Sequence, residues 1–406
     1  MLKRVLYITV IAAMASCGST KNKMEADTQE STPNNNVTTD IKTSANGTAG
    51  NISFWGELLS EACKQGDKEN ICLSPLSAKL AMSMIANGAQ GETKDEICSV
   101  MQLSNDANAQ SREFLDDAKS GKTDIRIANS IWIKENFSVK QKFIDTNREF
   151  FDARVENVPF NDNTIECIND WCKENTNGKI PSIIDRFTDS DRMILINALY
   201  FNAAWSKPFP VENTTTQLYT TDKGEKVEVP MMMLRSNASF YQDDTLAMTI
   251  KSYNSGYSML LVLPAEGIGC DEAARHLAKD FNNRLKGMEL RDVMLSLPKF
   301  RTEFSGSLKP MLNNLGIDRA FSGSAQFGGI SKTSLHISDI IQKTYINVDE
   351  QGTEAAAVTG IKVGLLSMGP RKIETMTFDR PFIYLIINDW NNEVLFTGKV
   401  GNPTIK

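Results

Sequence analysis

Hydrophobic and polar positions follow two different periods along the chain from about residue 51 to the end. Apolar residues recur every three or four positions in FWGELLSEACK, LSAKLAMSMIANG and TIECINDWCKENTNG, which predicts amphipathic helices, the last two ending at Gly88 and Gly178. β-branched and aromatic residues dominate IANSIWI, MILINALYFNAAW, YSMLLVLP, VMLSLPKF and PFIYLIIND, which predicts strands. LINALYF and FIYLII are almost continuously apolar, so both faces of these strands should be covered. The pattern predicts one α+β domain over residues 51–406, with helices packed on a large central sheet.

The first seventeen residues, MLKRVLYITVIAAMASC, have a different pattern. A basic start at Lys3 and Arg4 precedes a short apolar run and then small residues, which is the layout of a secretory signal. The run is too short to span a bilayer. The end of the seventeen-residue segment resembles the processing box of bacterial lipoproteins, so Cys17 is expected to carry a lipid that anchors an exported protein in the cell envelope. The alternative is ordinary cleavage nearby that removes Cys17.

Residues 18–50 are rich in Asn, Thr and Ser and contain almost no apolar residue. Such a segment cannot bury enough surface to offset the entropy lost on ordering, so it is expected to be a disordered tether. A flexible chain of this length has a mean reach on the order of 30 Å.

Composition and charge narrow the class of protein further. With 41% hydrophobic and 23% charged residues, the chain is expected to be globular. Its net charge of -6, without a cluster of Lys and Arg, argues against a nucleic-acid partner. Of the seven cysteines, the six that follow Cys17 show no paired spacing, so whether any of them pair stays open, and they are interpreted as small buried hydrophobes.

Catalytic chemistry has little support in the sequence. The chain has two histidines: His276, expected on the surface of a polar helix, and His336, expected in a strand. G-x-S-x-G, H-E-x-x-H, phosphate-loop and C-x-x-C motifs are absent, and EGIGCDE lacks the third glycine of a dinucleotide fingerprint. The protein is therefore not expected to be an enzyme, and no metal or cofactor is expected. A hydrolase is kept as a disfavoured alternative.

The segment DEQGTEAAAVTGIKVGLLSMG, residues 349–369, is patterned for a strand but interrupted by glycine. Taken in alternation, Glu354 and Lys362 share one face, and the other face holds only small or apolar side chains and threonines. Glycines weaken a permanent strand because they lose entropy and give no packing. The pattern alone leaves two interpretations open, an edge strand with a loose hairpin or an exposed loop that later inserts into a sheet.

Within this segment, NVDEQGTEAAAVT resembles the hinge of the reactive loop in inhibitory serpins. Further similarities to that family are NICLSPLSAKLAMSMIANGAQGETKDEI, WCKENTNGKI, LINALYFNAAWSKPF, VMLSLPKF, LGIDRAF and FDRPFIYLIINDWNNEVLFTGKVGNPT, in the family's order. The resemblance covers nearly all of residues 51–406. It implies the serpin fold, with three β-sheets, about eight or nine helices and an exposed reactive centre loop over residues 349–378.

The resemblance also implies a mechanism, in which serine or sometimes cysteine proteases are trapped by a suicide substrate. The protease attacks the loop and forms a covalent acyl complex, and the loop then enters the main sheet as a new strand. Small hinge residues allow rapid insertion. The hinge by resemblance consists of Glu350, Gly352, Thr353, Glu354, Ala355, Ala356, Ala357, Val358 and Thr359.

Residues that control opening of the sheet also follow from the resemblance. Trp205 matches the tryptophan where the loop first enters the sheet, and Ser74, Ser77 and Asn197 match a hydrogen-bonded cluster under the opening strands. Gln342 stands where many animal members have histidine. Glutamine can donate and accept hydrogen bonds but cannot titrate, so pH-dependent opening through this residue is not expected.

The expected scissile bond is Leu366–Ser367, counted from Glu350 by the span usual in the family. Apolar residues before it suit chymotrypsin-like, elastase-like or subtilisin-like proteases. The alternatives are Leu365 and Met368, with Lys362 or Arg371 for a basic-specific protease. A monomer is expected, in contact with the membrane only through its lipid anchor. The rival function is that of a non-inhibitory serpin acting as a binding or chaperone module, for which a bulky or charged hinge would be the sign.

Overall fold

The computed structural model describes residues 52–66, 68–119, 124–178, 180–354 and 372–404, all within one compact unit, Gly50–Lys406. Two short 3-10 helices, Val211–Asn213 and Arg319–Phe321, accompany the α-helices in this part of the chain. The α-helices of the described residues are α1 (Phe54–Lys64), α2 (Pro75–Ala86), α3 (Gly91–Val100), α4 (Ala107–Lys119), α5 (Gln141–Phe151), α6 (Asp162–Asn175), α7 (Cys270–Lys279), α8 (Phe281–Lys286) and α9 (Lys309–Asn314).

The strands alternate with these helices along the chain. They are β1 (Asn70–Leu73), β2 (Asp124–Lys134), β3 (Arg154–Val158), β4 (Met193–Ala204), β5 (Thr215–Thr220), β6 (Lys226–Gln242), β7 (Leu246–Ser252), β8 (Tyr257–Pro264), β9 (Glu289–Pro298), β10 (Phe300–Ser307), β11 (Asp339–Val348), β12 (Gly352–Thr353), β13 (Ile373–Thr377), β14 (Phe382–Asn388) and β15 (Val394–Val400).

Six strands form the main sheet, in the order β10-β11-β12-β4-β2-β3. Its two central strands, β11 and β4, are parallel and pair from Asp339↔Ile194 to Thr344↔Leu199. Nearer the end of β11, the two-residue strand β12 lies between them and is antiparallel to both. We call this end of the main sheet the insertion point. The central strands are therefore joined along one half of their length and separated at the insertion point.

The other nine strands follow the order β1-β15-β14-β8-β7-β6-β9-β13, with β5 paired to β6. The 17-residue strand β6 pairs with β9 over ten residues, from Met231 to Phe240, but with β7 over only three, from Phe240 to Gln242. This short pairing divides the nine strands into two portions. The pairing still joins them, so the described strands form two continuous sheets, where three were expected, and the α+β serpin fold is confirmed.

Local sequence signals explain where several of these elements begin and end. The helix predicted from FWGELLSEACK is α1, residue for residue. Helix α2 begins after Ser74, whose side chain accepts a hydrogen bond from the Ser77 N–H, and Pro75 occupies its first turn. A side chain at Gly88 would place its Cβ 2.2 Å from Ile330, so the glycine that follows α2 is required by packing.

The core also agrees with the strand predictions. Every residue of β8 and β14 is buried, which confirms that the apolar runs YSMLLVLP and FIYLII belong to covered strands. β14 lies between β8 and β15 in the nine-stranded sheet. His276 is on α7 and partly exposed, in agreement with a surface position, but His336 is not in a strand. It is half-buried in the segment before β11, because regular pairing begins only at Asp339.

The six cysteines of the described residues are unpaired. Cys72, Cys172 and Cys270 are buried, as interpreted from the sequence, and burial raises the pKa of the Cys172 thiol to about 12. Cys167 is exposed, which contradicts that interpretation, because α6 presents only one of its faces to the sheet. Among the described residues, no helix is long and apolar enough to cross a membrane.

Candidate functional site

A buried polar network lies beneath the paired half of β11 and β4. Gln342 on β11 is at its centre: its side-chain amide nitrogen donates to Ser74 O at 2.9 Å and to Ser77 Oγ at 3.2 Å. Its amide oxygen accepts from the Ser74 N–H at 2.9 Å. Gln342 thus ties β11 to the start of α2 through three hydrogen bonds.

The same network continues across the neighbouring strands. Ser77 Oγ donates to the side-chain oxygen of Asn197 on β4, and Asn197 donates to Asn129 on β2 at 2.5 Å. Asn129 in turn donates to Phe151 O at 3.0 Å. Gln342 lies directly opposite Asn197, and Asn197 opposite Asn129, so the network crosses three strands at one level. We call Ser74, Ser77, Asn129, Asn197 and Gln342 the Gln342 network.

All five side chains are at most 2% exposed. A buried polar group is costly unless it is hydrogen-bonded, so these side chains hold one another in a single arrangement. The structure brings together the four residues expected from the sequence, Ser74, Ser77, Asn197 and Gln342. None of the five titrates, which fits the expectation that opening here is not pH-dependent.

The start of the hinge is held at the insertion point by main-chain carbonyls. Trp205 donates from its indole to Asp349 O at 3.0 Å and from its backbone N–H to Gln351 O at 2.8 Å. The Phe209 N–H donates to Glu350 O at 2.9 Å. The three consecutive carbonyls of residues 349–351 are therefore all bound by the segment that follows β4. Trp205 therefore lies where the start of the hinge meets the sheet.

Gly352 and Thr353 are already seated in the main sheet as β12. Thr353 pairs with Val348 of β11 and with Ala203 of β4, and its side chain is fully buried. Its hydroxyl shares a hydrogen bond of 2.6 Å with the Tyr253 hydroxyl. The sequence led us to expect an exposed loop, and the structure differs at these two residues because glycine and threonine are small enough to fit between the strands.

Glu354 marks the end of the seated part of the hinge. Its backbone N–H donates to Asn347 O at 3.0 Å, and its φ of 55° lies in the left-handed region, which is uncommon for any residue except glycine. Strained backbone of this kind persists only where the surroundings impose it. Other hinge and reactive-bond residues lie outside the described residues, as does the expected lipidation site. They are Ala355, Ala356, Ala357, Val358, Thr359, Leu365, Leu366, Ser367, Met368 and Cys17.

Glu350 is a buried carboxylate beside this seat. It is 6% exposed, and its Oε1 lies 2.7 Å from Lys299 Nζ and accepts a hydrogen bond of 2.9 Å from Thr214. Burial raises the pKa of this carboxyl, but the hydrogen bonds and charge of Lys299 and its neighbours outweigh burial and hold the pKa below its usual value. Glu350 is thus ionised and binds the residues that immediately precede β10 and β5.

Sequence reasoning missed three partners at the site: Asn129, Lys299 and Tyr253. The sequence did contain a signal for Asn129. Isoleucines such as Ile127 and Ile131 occupy every second position of β2, and Asn129 interrupts this series. One polar residue on an otherwise apolar strand face indicates a buried hydrogen bond. Lys299 and Tyr253 carried no such signal, because their contacts depend on how distant segments pack.

The arrangement at the insertion point is suited to accepting a strand. Within the described ranges, no group of His, Cys, Asp or Glu could hold a metal ion. The two central strands are parallel and already admit two residues of a third strand at one end. Extending that insertion requires β11 and β4 to separate through the level of the Gln342 network.

Comparison with known proteins defines the class. The model of the Serpin family, serine protease inhibitors, matches residues 49–403. A serpin-like protein of Thermococcus kodakarensis is 31% identical over 86% of this chain and 84% of its own. Human Serpin I2 is 28% identical over 87% and 91%, respectively. The native structure of the thermophilic serpin tengpin matches with a TM-score of 0.79 at 31% identity, covering 88% of this chain and 95% of that one. The chain therefore belongs to the serpin family, whose members are generally protease inhibitors.

Proposed function

We propose that this serpin traps proteases as a suicide substrate, by inserting its cleaved reactive loop into the main sheet between β11 and β4. The observation that carries the proposal is the position of β12, whose residues Gly352 and Thr353 are hydrogen-bonded to both central strands. The hinge of this chain thus already occupies the start of the path that insertion would follow. Gly352, Thr353 and the alanines at 355–357 are small residues, which argues against the non-inhibitory function.

The energy available from insertion supports the proposal. About 15 further residues gaining sheet hydrogen bonds, at roughly 1 kcal/mol net each, would give on the order of 10 kcal/mol or more. A whole domain is stable by only about 5–15 kcal/mol, so insertion can release enough free energy to deform a bound protease. Separation of β11 and β4 through the Gln342 network opposes this gain.

The test of this function is a covalent complex. We expect incubation with chymotrypsin-like, elastase-like and subtilisin-like proteases to give a band that survives SDS and boiling. The matched control is each protease with its nucleophilic serine blocked, which cannot form an acyl bond. If every active protease of the panel only cleaves the loop without being retained, suicide inhibition is wrong for this protein.

We further propose that the attacked bond is Leu366–Ser367 and that the target has a hydrophobic primary pocket. The apolar residues Val363, Leu365 and Leu366 before the bond support this assignment. The mass of the carboxy-terminal peptide released from the denatured complex distinguishes the alternatives. A peptide beginning at Ser367 agrees with it, whereas one beginning at Val363 or Lys372 would indicate a basic-specific target.

The envelope location is a separate proposal. The signal pattern of residues 1–17 supports lipidation of Cys17, and residues 18–50 would then tether the inhibitor domain to the membrane. We expect Cys17→Ala to move the protein from the membrane fraction to the soluble fraction, with Cys63→Ala as the control that leaves it in place. A Cys17→Ala protein that stays in the membrane fraction would contradict lipidation.

A further inference from the structure

One buried amine packs directly behind the insertion point. Lys251, near the end of β7, is 6% exposed, and its Nζ lies 5.1 Å from the centroid of the Trp205 ring and 4.9 Å from that of Phe209. The amine donates a hydrogen bond to Lys207 O. Trp205 and Phe209 are the residues whose N–H groups bind the carbonyls of residues 349–351. Lys251 thus supports the segment that holds the start of the hinge.

A second buried lysine shows what is unusual about the first. Lys399 is also 6% exposed, but its Nζ lies 2.7 Å from Asp222, and this partner outweighs burial and raises its pKa. Among the described residues, no carboxylate forms an ion pair with Lys251. Burial, and then the like charge of Lys207, lower the pKa of Lys251 to about 7.

The other titratable groups around the insertion point are already engaged. The Glu350 carboxylate is bound by Lys299 and Thr214, and the Asp349 carboxylate accepts from the N–H groups of Gln351 and Gly352. The Tyr253 hydroxyl is bound to Thr353, and burial raises its pKa. Lys207 reaches outward to Arg235 O at 3.2 Å. The charge state of Lys251 is therefore set mainly by its own burial and by Lys207.

The geometry disfavours an ammonium in this place. An ammonium has three donors, and here one carbonyl and two aromatic rings surround it. The rings attract a cation, but they do not replace the water that burial removes. A neutral amine fits the packed arrangement, and a charged one favours any conformation in which residues 205–209 move enough to admit water.

We propose that Lys251 is a positioning residue that couples the seating of Gly352 and Thr353 in the main sheet to the uptake of one proton. Deprotonated, it allows residues 205–209 to hold the hinge. Protonated, it favours release of the hinge. The inference deepens the proposed function, because release changes how readily the loop begins insertion, but the seating itself can be measured without a protease.

Linkage fixes the pH range of the effect. An amine in water titrates at its ordinary value of 10.5, whereas the packed amine titrates near 7, so seating loses stability as pH falls from about 10.5 to about 7 and changes no further below that. The equilibrium between seated and released hinge can shift by up to about tenfold per pH unit within this range.

Hydrogen–deuterium exchange of a peptide covering residues 346–354 tests the coupling. The wild type is compared with Lys251→Met at the same pH, so that the intrinsic exchange rate cancels. We expect the wild type to exchange faster than the variant by a ratio that grows as pH is lowered from 9.5 to 7.5 and levels off near 7. A ratio that stays constant across this range would overturn the proposal.

Two further variants separate positioning from a merely structural role. Lys251→Arg keeps the charge at every pH, so its exchange is expected to be fast and without the pH slope. Lys399→Met removes an equally buried but paired lysine, and its exchange should keep the slope of the wild type. Loss of the slope in Lys399→Met would show that the pH dependence does not come from Lys251.

Measuring protease complexes alongside exchange distinguishes the role of Lys251 from the proposed inhibitory function. If the protein forms SDS-stable complexes but the exchange ratio is constant with pH, the role of Lys251 is wrong and the inhibitory function stands. If the slope is present but no protease is retained, Lys251 controls seating of the hinge and suicide inhibition fails.

Discussion

At the scale of single residues, the site combines side chains that titrate with side chains that cannot. The Gln342 network holds β11 and β4 together through neutral amides and hydroxyls, whereas Glu350 and Lys251 carry the ionisable groups at the insertion point. The sequence predicted Gln342 and Glu350, because their places in motifs are local. The resemblance also grouped Ser74, Ser77 and Asn197 with Gln342, but it did not predict Lys299 as the partner of Glu350, because that contact depends on how distant segments pack.

Removing the Gln342 side chain should loosen the sheet. Gln342→Ala leaves the Ser74 N–H and the Ser77 hydroxyl with fewer buried partners, so we expect the free energy of unfolding to fall by about 1–3 kcal/mol. Denaturant titration at several pH values measures this loss, which should not vary with pH. Gln342→His is the comparison variant, because the stability of the protein with a histidine at this position should change with pH where that histidine titrates. A Gln342→Ala protein as stable as the wild type would contradict the role of the network.

The Glu350 ion pair gives a prediction with a defined pH sign. Because the folded pKa of Glu350 lies below its unfolded value near 4.5, its contribution to stability is present above that pH and is lost as pH falls through the folded pKa. Lys299→Met leaves the buried carboxylate without its cation and should lower the free energy of unfolding by about 1–3 kcal/mol at neutral pH. This loss is smaller than that expected for a fully buried ion pair, because Lys299 is partly exposed.

Acid titration of unfolding compares Lys299→Met with the wild type, and the difference between them should shrink toward low pH. Adding Glu350→Gln to Lys299→Met should recover part of the loss, because no buried charge then remains. A double variant less stable than Lys299→Met would mean that Glu350 stabilises the fold through another contact.

At the scale of elements, the hinge is the segment whose structure least follows from its sequence. Alternation and glycine content left a strand and an inserting loop equally open, because both use the same residues. The structure combines them: Gly352 and Thr353 are in the sheet, and the left-handed backbone of Glu354 follows. Pairing with β11 and β4 settles this choice, and the β4 partners, Ala203 and Ala204, lie more than a hundred positions away along the chain.

Blocking the first seated residues should convert the inhibitor into a substrate. Thr353→Arg would bury a charge between Val348 and Ala203, at a position that is fully buried. We expect the number of inhibitor molecules consumed per trapped protease to rise at least several-fold, while cleavage of the loop continues. Thr353→Ser retains the hydroxyl that binds Tyr253 and should behave like the wild type. Equal trapping efficiency in Thr353→Arg would contradict insertion through this point.

At the scale of the whole molecule, the sequence was sufficient for the class of fold and for several of the helices and covered strands. Strong periodicity and motif order predicted α1, α2, β8 and β14, which the structure confirms. The division of nine strands by the short β6–β7 pairing had no local signal, because a continuous 17-residue strand gives no sign of where its partners change.

Cleavage of the loop should make the whole molecule more stable. An untrapped protease that cuts within residues 355–371 frees the hinge to continue the pairing that β12 begins, and the added sheet hydrogen bonds raise the melting temperature. Calorimetry before and after cleavage measures the change, which we expect to exceed 10 °C as an order-of-magnitude estimate. A nick elsewhere, in a surface turn such as residues 222–225, is the control and should lower stability. An unchanged melting temperature after loop cleavage would favour the non-inhibitory function.

The register of β12 also determines where later hinge residues would lie after insertion. In an antiparallel pair, each step forward on one strand is a step back on the other. Thr353 lies opposite Ala203 and Val348, so six residues further on, Thr359 would lie opposite Asn197 and Gln342. Insertion would therefore bring a hydroxyl, on the buried face, to the level of the network that it must first disrupt.

The loop of this chain would thus replace the hydrogen bonds that separation of β11 and β4 removes. Thr359→Val has the same shape but no hydroxyl, so we expect it to lower the melting temperature of the cleaved form and to leave that of the uncleaved form unchanged. Thr359→Ser should restore the stability of the cleaved form. Equal melting temperatures for cleaved wild type and cleaved Thr359→Val would mean that the inserted strand takes a different register from the one β12 begins.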